Sequence, residues 1–265
     1  MQAWLHHPYF VAAIAPFLVA LISAEVLLRL RLSGLALIAG FAITVFLIAS
    51  FDWPPLTLSQ KIIWMALAAS LLGILFSLLD WSLFNALLPL AASALGIWLL
   101  WPLLEHQPSV SIMIYAVSGA AFLTLLVWGM GNLSDEPLRA ANATTALGIG
   151  TGIAVWGGST LYGELALSMG CAAAAHLLIQ MISNQPLATG RAFTLPASLA
   201  LGVIACIALL AGHLSWYCFP LLAAIPLLAW MMPLPKMSVL LQGLLLSAIT
   251  APLAIAVVYL ARHPL

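Results

Sequence analysis

Four side chains within one hydrophobic stretch, residues 161–182, carry the chemistry this sequence has to offer: Glu164, Ser168, His176 and Gln180. An ionisable group inside hydrocarbon is costly, and by default it marks a proton or solute path. At about 100° per residue along a helix, Ser168 falls nearly on the face of Glu164. His176 and Gln180, one turn apart, share a second face rotated well away from it. A buried Glu164 suits a group that takes up and releases a proton. At the membrane interface the same carboxylate would instead cap a helix N-terminus, where the helix dipole favours it. His176 and Gln180 read either as hydrogen-bonded packing residues or as members of a solute or proton path.

A second set consists of histidines. His6, His7, His106, His213 and His263 all map to one face of the expected bundle, together with Asp52 and Glu105. Imidazole and carboxylate together bind Cu or Zn, which makes His6, His7, His106 and His213 metal-ligand candidates. Apart from His6-His7, each comes from a different loop, and interfacial histidines in low-charge loops account for them without a metal. Nothing in the sequence calls for a cofactor. Cys171, Cys206 and Cys218 form no CxxC pair and read as small buried residues. HExxH, Walker A and GxSxG motifs are absent.

The elements that must position these residues are membrane helices. Of 265 residues, 65% are hydrophobic and 5% charged, against roughly 25% charged in a soluble domain. Seven basic and seven acidic side chains cannot coat a soluble fold of this length. The apolar runs are long and do not alternate, which excludes a transmembrane β-barrel. The expected fold is an all-α integral membrane protein, a polytopic bundle of about ten transmembrane helices with short loops. The spans fall at 8–28, 33–51, 60–79, 82–103, 109–131, 140–158, 161–182, 193–212, 214–231 and 238–260. They form one transmembrane domain, divisible into halves 8–131 and 140–260 with no evident self-similarity. The breaks at Gly157-Gly158 and Gly212-His213 are the shortest, and orientation beyond them depends on both being true turns.

Within the sixth and seventh spans, Gly148, Gly152 and Gly170 sit on small-residue stripes that let helix backbones approach closely. The most polar segment runs from Gly131 to Arg139, and the next from Asn184 to Arg191. Gln242, Ser247 and Thr250 give the last span a polar lining. With ten spans, Arg29, Arg31, Arg139, Arg191 and Lys236 gather on one side, and Lys61 and Arg262 on the other. The rule that basic loops stay cytoplasmic then puts both termini outside, in an inner-membrane protein.

The zero net charge and scattered basic residues exclude nucleic acid as a partner. The expected partners are the lipid bilayer and either other membrane subunits or further copies of the chain. The leading expectation is a small-molecule permease or exporter for a neutral or amphipathic solute. A non-catalytic scaffold, anchor or assembly subunit of a membrane complex is the alternative. An enzyme acting on a lipid-linked substrate, using the outer-face histidines and carboxylates, is the third reading.

Overall fold

A computed structural model describes residues 7–28, 33–48, 57–79 and 82–263, and every regular element among them is helical. His6, Arg29, Arg31, Asp52, Trp53, Pro54-Pro55 and Asp80-Trp81 lie outside the described residues. Ten α-helices follow in order: α1 (Ala15–Leu28), α2 (Ala36–Ile48), α3 (Leu58–Leu79), α4 (Ser82–Leu104), α5 (Ser109–Gly131), α6 (Pro137–Trp156), α7 (Thr160–Ser183), α8 (Arg191–Leu210), α9 (Cys218–Met231) and α10 (Val239–Arg262). A π-turn at Phe10–Ile14 leads into α1, with Ala15 N–H donating to the Phe10 carbonyl. Pro16 has no N–H for the next turn, and a local change of hydrogen-bond register absorbs that loss.

The expectation of ten spans is met in part. Among the described residues, seven helices are long and apolar enough to cross a membrane: α1 with its π-turn, α3, α4, α5, α7, α8 and α10. Helices α2 and α9, at 13 and 14 residues, reach only about 20 Å, against a hydrocarbon core of roughly 30 Å. Helix α6 has 20 residues, but Arg139, Asn142, three threonines and three glycines make it the least apolar of the long helices. A multi-pass helical membrane protein follows from this architecture. The outward faces agree, with Ile22, Phe46, Leu71, Trp98, Val110, Met113, Ile182 and Ile255 all exposed. So extensive an apolar surface suits lipid rather than water.

Helix α8 is the mast of the bundle. It is buried along almost its whole length, as expected of a helix that is apolar on every side. Helices α3, α5, α6 and α4 pack around it. The α1–α2 pair packs on α7, and the α9–α10 pair closes over α6.

The two shortest breaks are both turns. Across α6 and α7, Gly148 faces Gly170, Gly152 faces Leu167 and Gly163 faces Trp156, so the helices run antiparallel. A Cβ on Gly170 would stand 2.6 Å from the Ile149 nitrogen, and one on Gly152 2.7 Å from that of Leu167. Neither position has room for a larger residue. At the end of α8, Gly212 takes φ +75°, His213 N–H donates to Ala208 O at 2.8 Å and Gly212 N–H to Leu209 O at 3.0 Å. This is a Schellman stop, which uses glycine because the left-handed residue pays no Cβ penalty.

Candidate functional site: a recess where the two polar loops meet

Helix α5 ends in a tight succession of turns. Asn132 N–H donates to Trp128 O (3.1 Å), Ser134 N–H to Gly131 O (3.2 Å) and Glu136 N–H to Leu133 O (3.0 Å). Pro137 then opens α6, where its missing N–H costs nothing. The second polar loop begins at Asn184, whose left-handed backbone (φ 53°) ends α7. Its Oδ1 accepts the Val239 N–H at 2.9 Å and so also caps α10. Residues 185–190 have no regular structure, yet Leu187 and Thr189 are buried. Buried backbone needs partners, and the first loop supplies them. Ser134 O accepts both the Gly190 N–H (3.2 Å) and the Thr189 hydroxyl (3.3 Å). The two most polar segments of the chain thus form one wall.

Behind that wall lies a recess of about 590 Å³, within the usual range for small-molecule sites. Asn132, Ser134, Asp135, Arg191, Thr194 and Ser198 make its polar side. Leu88, Pro89, Val127, Trp128 and Leu195 make its apolar side. The hydroxyls of Thr194 and Ser198 donate to Gly190 O, just ahead of α8, and to Leu195 O within it, which leaves each oxygen able to accept a further hydrogen bond. The Asn132 Nδ2 is buried without a hydrogen-bond partner, and an unmet donor of this kind costs about 1–3 kcal/mol. Arg139 does not line the recess. It pairs with Glu136 at 2.6 Å, and its Nη1 donates to Ala229 O at 2.9 Å and to Trp230 O, capping the end of α9.

The residues singled out in the seventh span divide between the two ends of α7. His176 and Gln180 are fully buried. His176 Nε2 lies 3.4 Å from Leu187 O, and Gln180 Nε2 donates to Pro137 O at 3.4 Å. They therefore brace, from inside, the two loops that build the recess, but do not line it. The His176 ring packs on Phe193 at 5.2 Å, and its Nδ1 and the Gln180 Oε1 have no partner. Glu164 is half-buried in the second turn of α7, towards the opposite end, and makes no hydrogen bond or ion pair with a described residue. Ser168 is buried and donates to Leu165 O at 2.8 Å.

A second recess, about 660 Å³, lies at that opposite end. Tyr9, Trp156, Gly158, Leu167, His213 and Arg262 line it, and Tyr9 stacks on Trp156 at 5.9 Å. The His213 ring lies on Gly158, where no Cβ would fit. His7 packs beside Tyr9 at 5.4 Å, while His106 is exposed with Nδ1 at 2.7 Å from Pro102 O. Among the described residues, no three His, Cys, Asp or Glu side chains come together as a ligand set.

One polar cluster escaped the sequence reading in part. Thr250 donates to Asn142 Oδ1 at 2.8 Å, and Asn142 Nδ2 donates to Ser247 Oγ at 2.7 Å, tying α6 to α10. Ser247 and Thr250 stood out as a polar lining, but their partner Asn142 did not. The signal was an amide six residues into an otherwise Ala-rich helix. No known protein-family model matches this chain, and no curated protein matches it either.

Proposed function

We propose that this chain is a multi-pass permease or exporter for a small amphipathic solute, crossing the inner membrane ten times with both termini outside. The observation that carries the reading is a pair of recesses at opposite ends of one buried helix. Arg191, Thr194 and Ser198 at the start of α8 line the first; Gly212 and His213 just past its end line the second. Twenty residues separate those ends, or about 30 Å, the thickness of a hydrocarbon core.

The α6–α7 pair runs alongside α8. Its glycine contacts give a smooth interface of the kind that lets packed helices shift. Arg139, Arg191 and Lys236 gather at the end that holds the first recess, which favours a cytoplasmic placement of that end. Short helices α2 and α9 cross by virtue of flanking residues and local bilayer thinning. Glu164, half-buried and without a partner among the described residues, is the coupling-proton candidate.

Cysteine labelling tests this reading. Cys171, Cys206 and Cys218 are replaced by alanine, and single cysteines are placed at Asp135 and at Gly157. A membrane-impermeant maleimide applied to oriented vesicles is expected to reach position 135 from the cytoplasmic side alone and position 157 from the outer side alone. Labelling of both positions from one side would overturn the two-ended arrangement.

A further inference from the structure

We propose that the recess at the ends of α6, α8 and α10 binds an acidic head, a carboxylate or a phosphate, carried on an aromatic or alkyl body. The proposal deepens the permease reading: the recess's place as a solute site rests on that reading, whereas the binding itself does not.

Four separate stretches of chain build this recess: the approach to α1, the α6–α7 turn, the turn after α8 and the end of α10. Its volume of about 660 Å³ lies within the usual range for small-molecule sites. Among the described residues that line it, Arg262 carries a full positive charge and no carboxylate stands beside it. Arg262 makes no hydrogen bond or ion pair with a described residue. A guanidinium presents its N–H donors in a planar fork that matches the two oxygens of an acid. The other polar side chains of the wall donate as well. His213 has a ring N–H in either tautomer, Trp156 an indole N–H and Tyr9 a hydroxyl.

Helices α6, α8 and α10 all end here, and helix C-termini by themselves favour a cation. Several of their last carbonyls are already engaged. Val155 O accepts the Gly158 and Ser159 N–H groups at 3.0 and 2.9 Å, Ala208 O those of His213 and Leu214 at 2.8 and 3.1 Å, and Tyr259 O that of His263 at 3.0 Å. A cationic head would meet Arg262 with no carboxylate in the wall to answer it. An uncharged head would gain nothing from the guanidinium. An acid gains from both the charge and the donors.

The rest of the wall sets the body of the ligand. Tyr9 stacks on Trp156 with the ring planes 11° apart, and Tyr9 is 66% exposed. The His213 ring lies on Gly158, where no Cβ would fit. Ile153, Ala154, Leu167 and Ala261 complete an apolar side. Flat rings beside alkyl groups suit an aromatic or alkyl body.

The acidic head has two sources, a free organic acid or the phosphate of an anionic lipid, and the test separates them. Tritiated 3-phenylpropanoate is bound to the protein in phosphatidylcholine nanodiscs and read by scintillation proximity, with empty discs subtracted. Saturable binding is expected. Unlabelled 3-phenylpropylamine and 3-phenylpropanol share the body and differ in charge. They should compete about tenfold or more weaker than the acid. Arg262→Gln should bring the acid down to the level of the alcohol, and Arg262→Lys should keep part of the preference. Tyr9→Ala should weaken all three by about threefold. Arg262 and Tyr9 are exposed, so their variants should fold, and their elution profiles check this.

Unsaturable binding, or equal competition by acid, amine and alcohol, overturns the proposal. So does an acid preference undiminished in Arg262→Gln, or undiminished binding in Tyr9→Ala. The assay is then repeated with phosphatidylglycerol in the discs. A loss of acid binding steeper than that of Arg262→Gln in the same discs assigns the site to a lipid headgroup. An equal loss reflects the surface charge alone and assigns it to a free acid. Binding without transport would remove the permease and keep the site; transport of other solutes without this binding would do the reverse.

Discussion

The hydroxyl of Thr189 donates to the backbone carbonyl of Ser134 at 3.3 Å, joining two loops 55 residues apart in sequence. The Gly190 N–H donates to the same carbonyl. The junction brings Asp135, one residue beyond one partner, and Arg191, two beyond the other, to the same side of the first recess.

Gly190 is therefore the weak point of that wall. Its φ of +61° with ψ −174° lies in a region essentially reserved for glycine and costs an L-residue about 1–3 kcal/mol. Its Cβ direction is empty, so Gly190→Ala isolates backbone strain from crowding. Thermal unfolding in detergent should show a loss of about 1–3 kcal/mol. Wild-type stability would mean that the loop does not hold this conformation.

The α6–α7 interface should be far less tolerant of added volume than the turn beyond it. A Cβ at Gly170 meets backbone atoms of Ile149 and Gly148, and backbone cannot rotate away. Gly170→Ala should cost about 1–3 kcal/mol, and Gly148→Val more. Gly157→Ala meets nothing within 4 Å and should stay within about 0.5 kcal/mol of wild type. Equal melting of all three variants would contradict the close approach of these helices.

Arg139 holds the end of α9 through the carbonyls of Ala229 and Trp230. Arg139→Gln should destabilise by about 1.5–3 kcal/mol, the range for hydrogen bonds to a charged group, and Arg139→Lys by less. The discriminating measurement is hydrogen exchange at the last turn of α9, which should accelerate in Arg139→Gln. Unaltered exchange there would mean that the cap carries no energy.

Asn142 and Thr250 call for a double-mutant cycle, because each has a further partner. Thr250 also donates to Leu246 O at 3.1 Å. Asn142→Ala and Thr250→Val should couple by about 0.6–1.7 kcal/mol, as interhelical hydrogen bonds in membranes do. Additive effects would show that the bond is absent in the bilayer.

Helix positions were legible in the sequence because the chain marks them with residues that end helices. Gly157-Gly158, Gly212 and Asn184 stand at observed turns. The start of α6 differs: reading from Ala140 misses Pro137, which begins the helix because its fixed φ suits the first turn. Composition alone could not separate ten helices from ten crossings, since α2 and α9 are apolar but short.

The site was legible only in pieces. Both polar loops stood out, but that they share a wall depends on how α5 and α8 pack, and no local pattern encodes that. His176 and Gln180 were singled out for being polar within a span, and both are buried. Their partners, Leu187 O and Pro137 O, are backbone atoms that sequence spacing cannot reveal.

Movement of solute through this bundle can be read in proteoliposomes that hold the purified protein, an imposed pH gradient and a set of labelled small amphipathic solutes. Saturable, gradient-driven accumulation of at least one of them is expected of the wild type, and a Glu164→Gln variant is expected to exchange that solute across the membrane without accumulating it. Uptake no faster than in protein-free liposomes for every solute would contradict such movement, and full accumulation by Glu164→Gln would remove Glu164 from it.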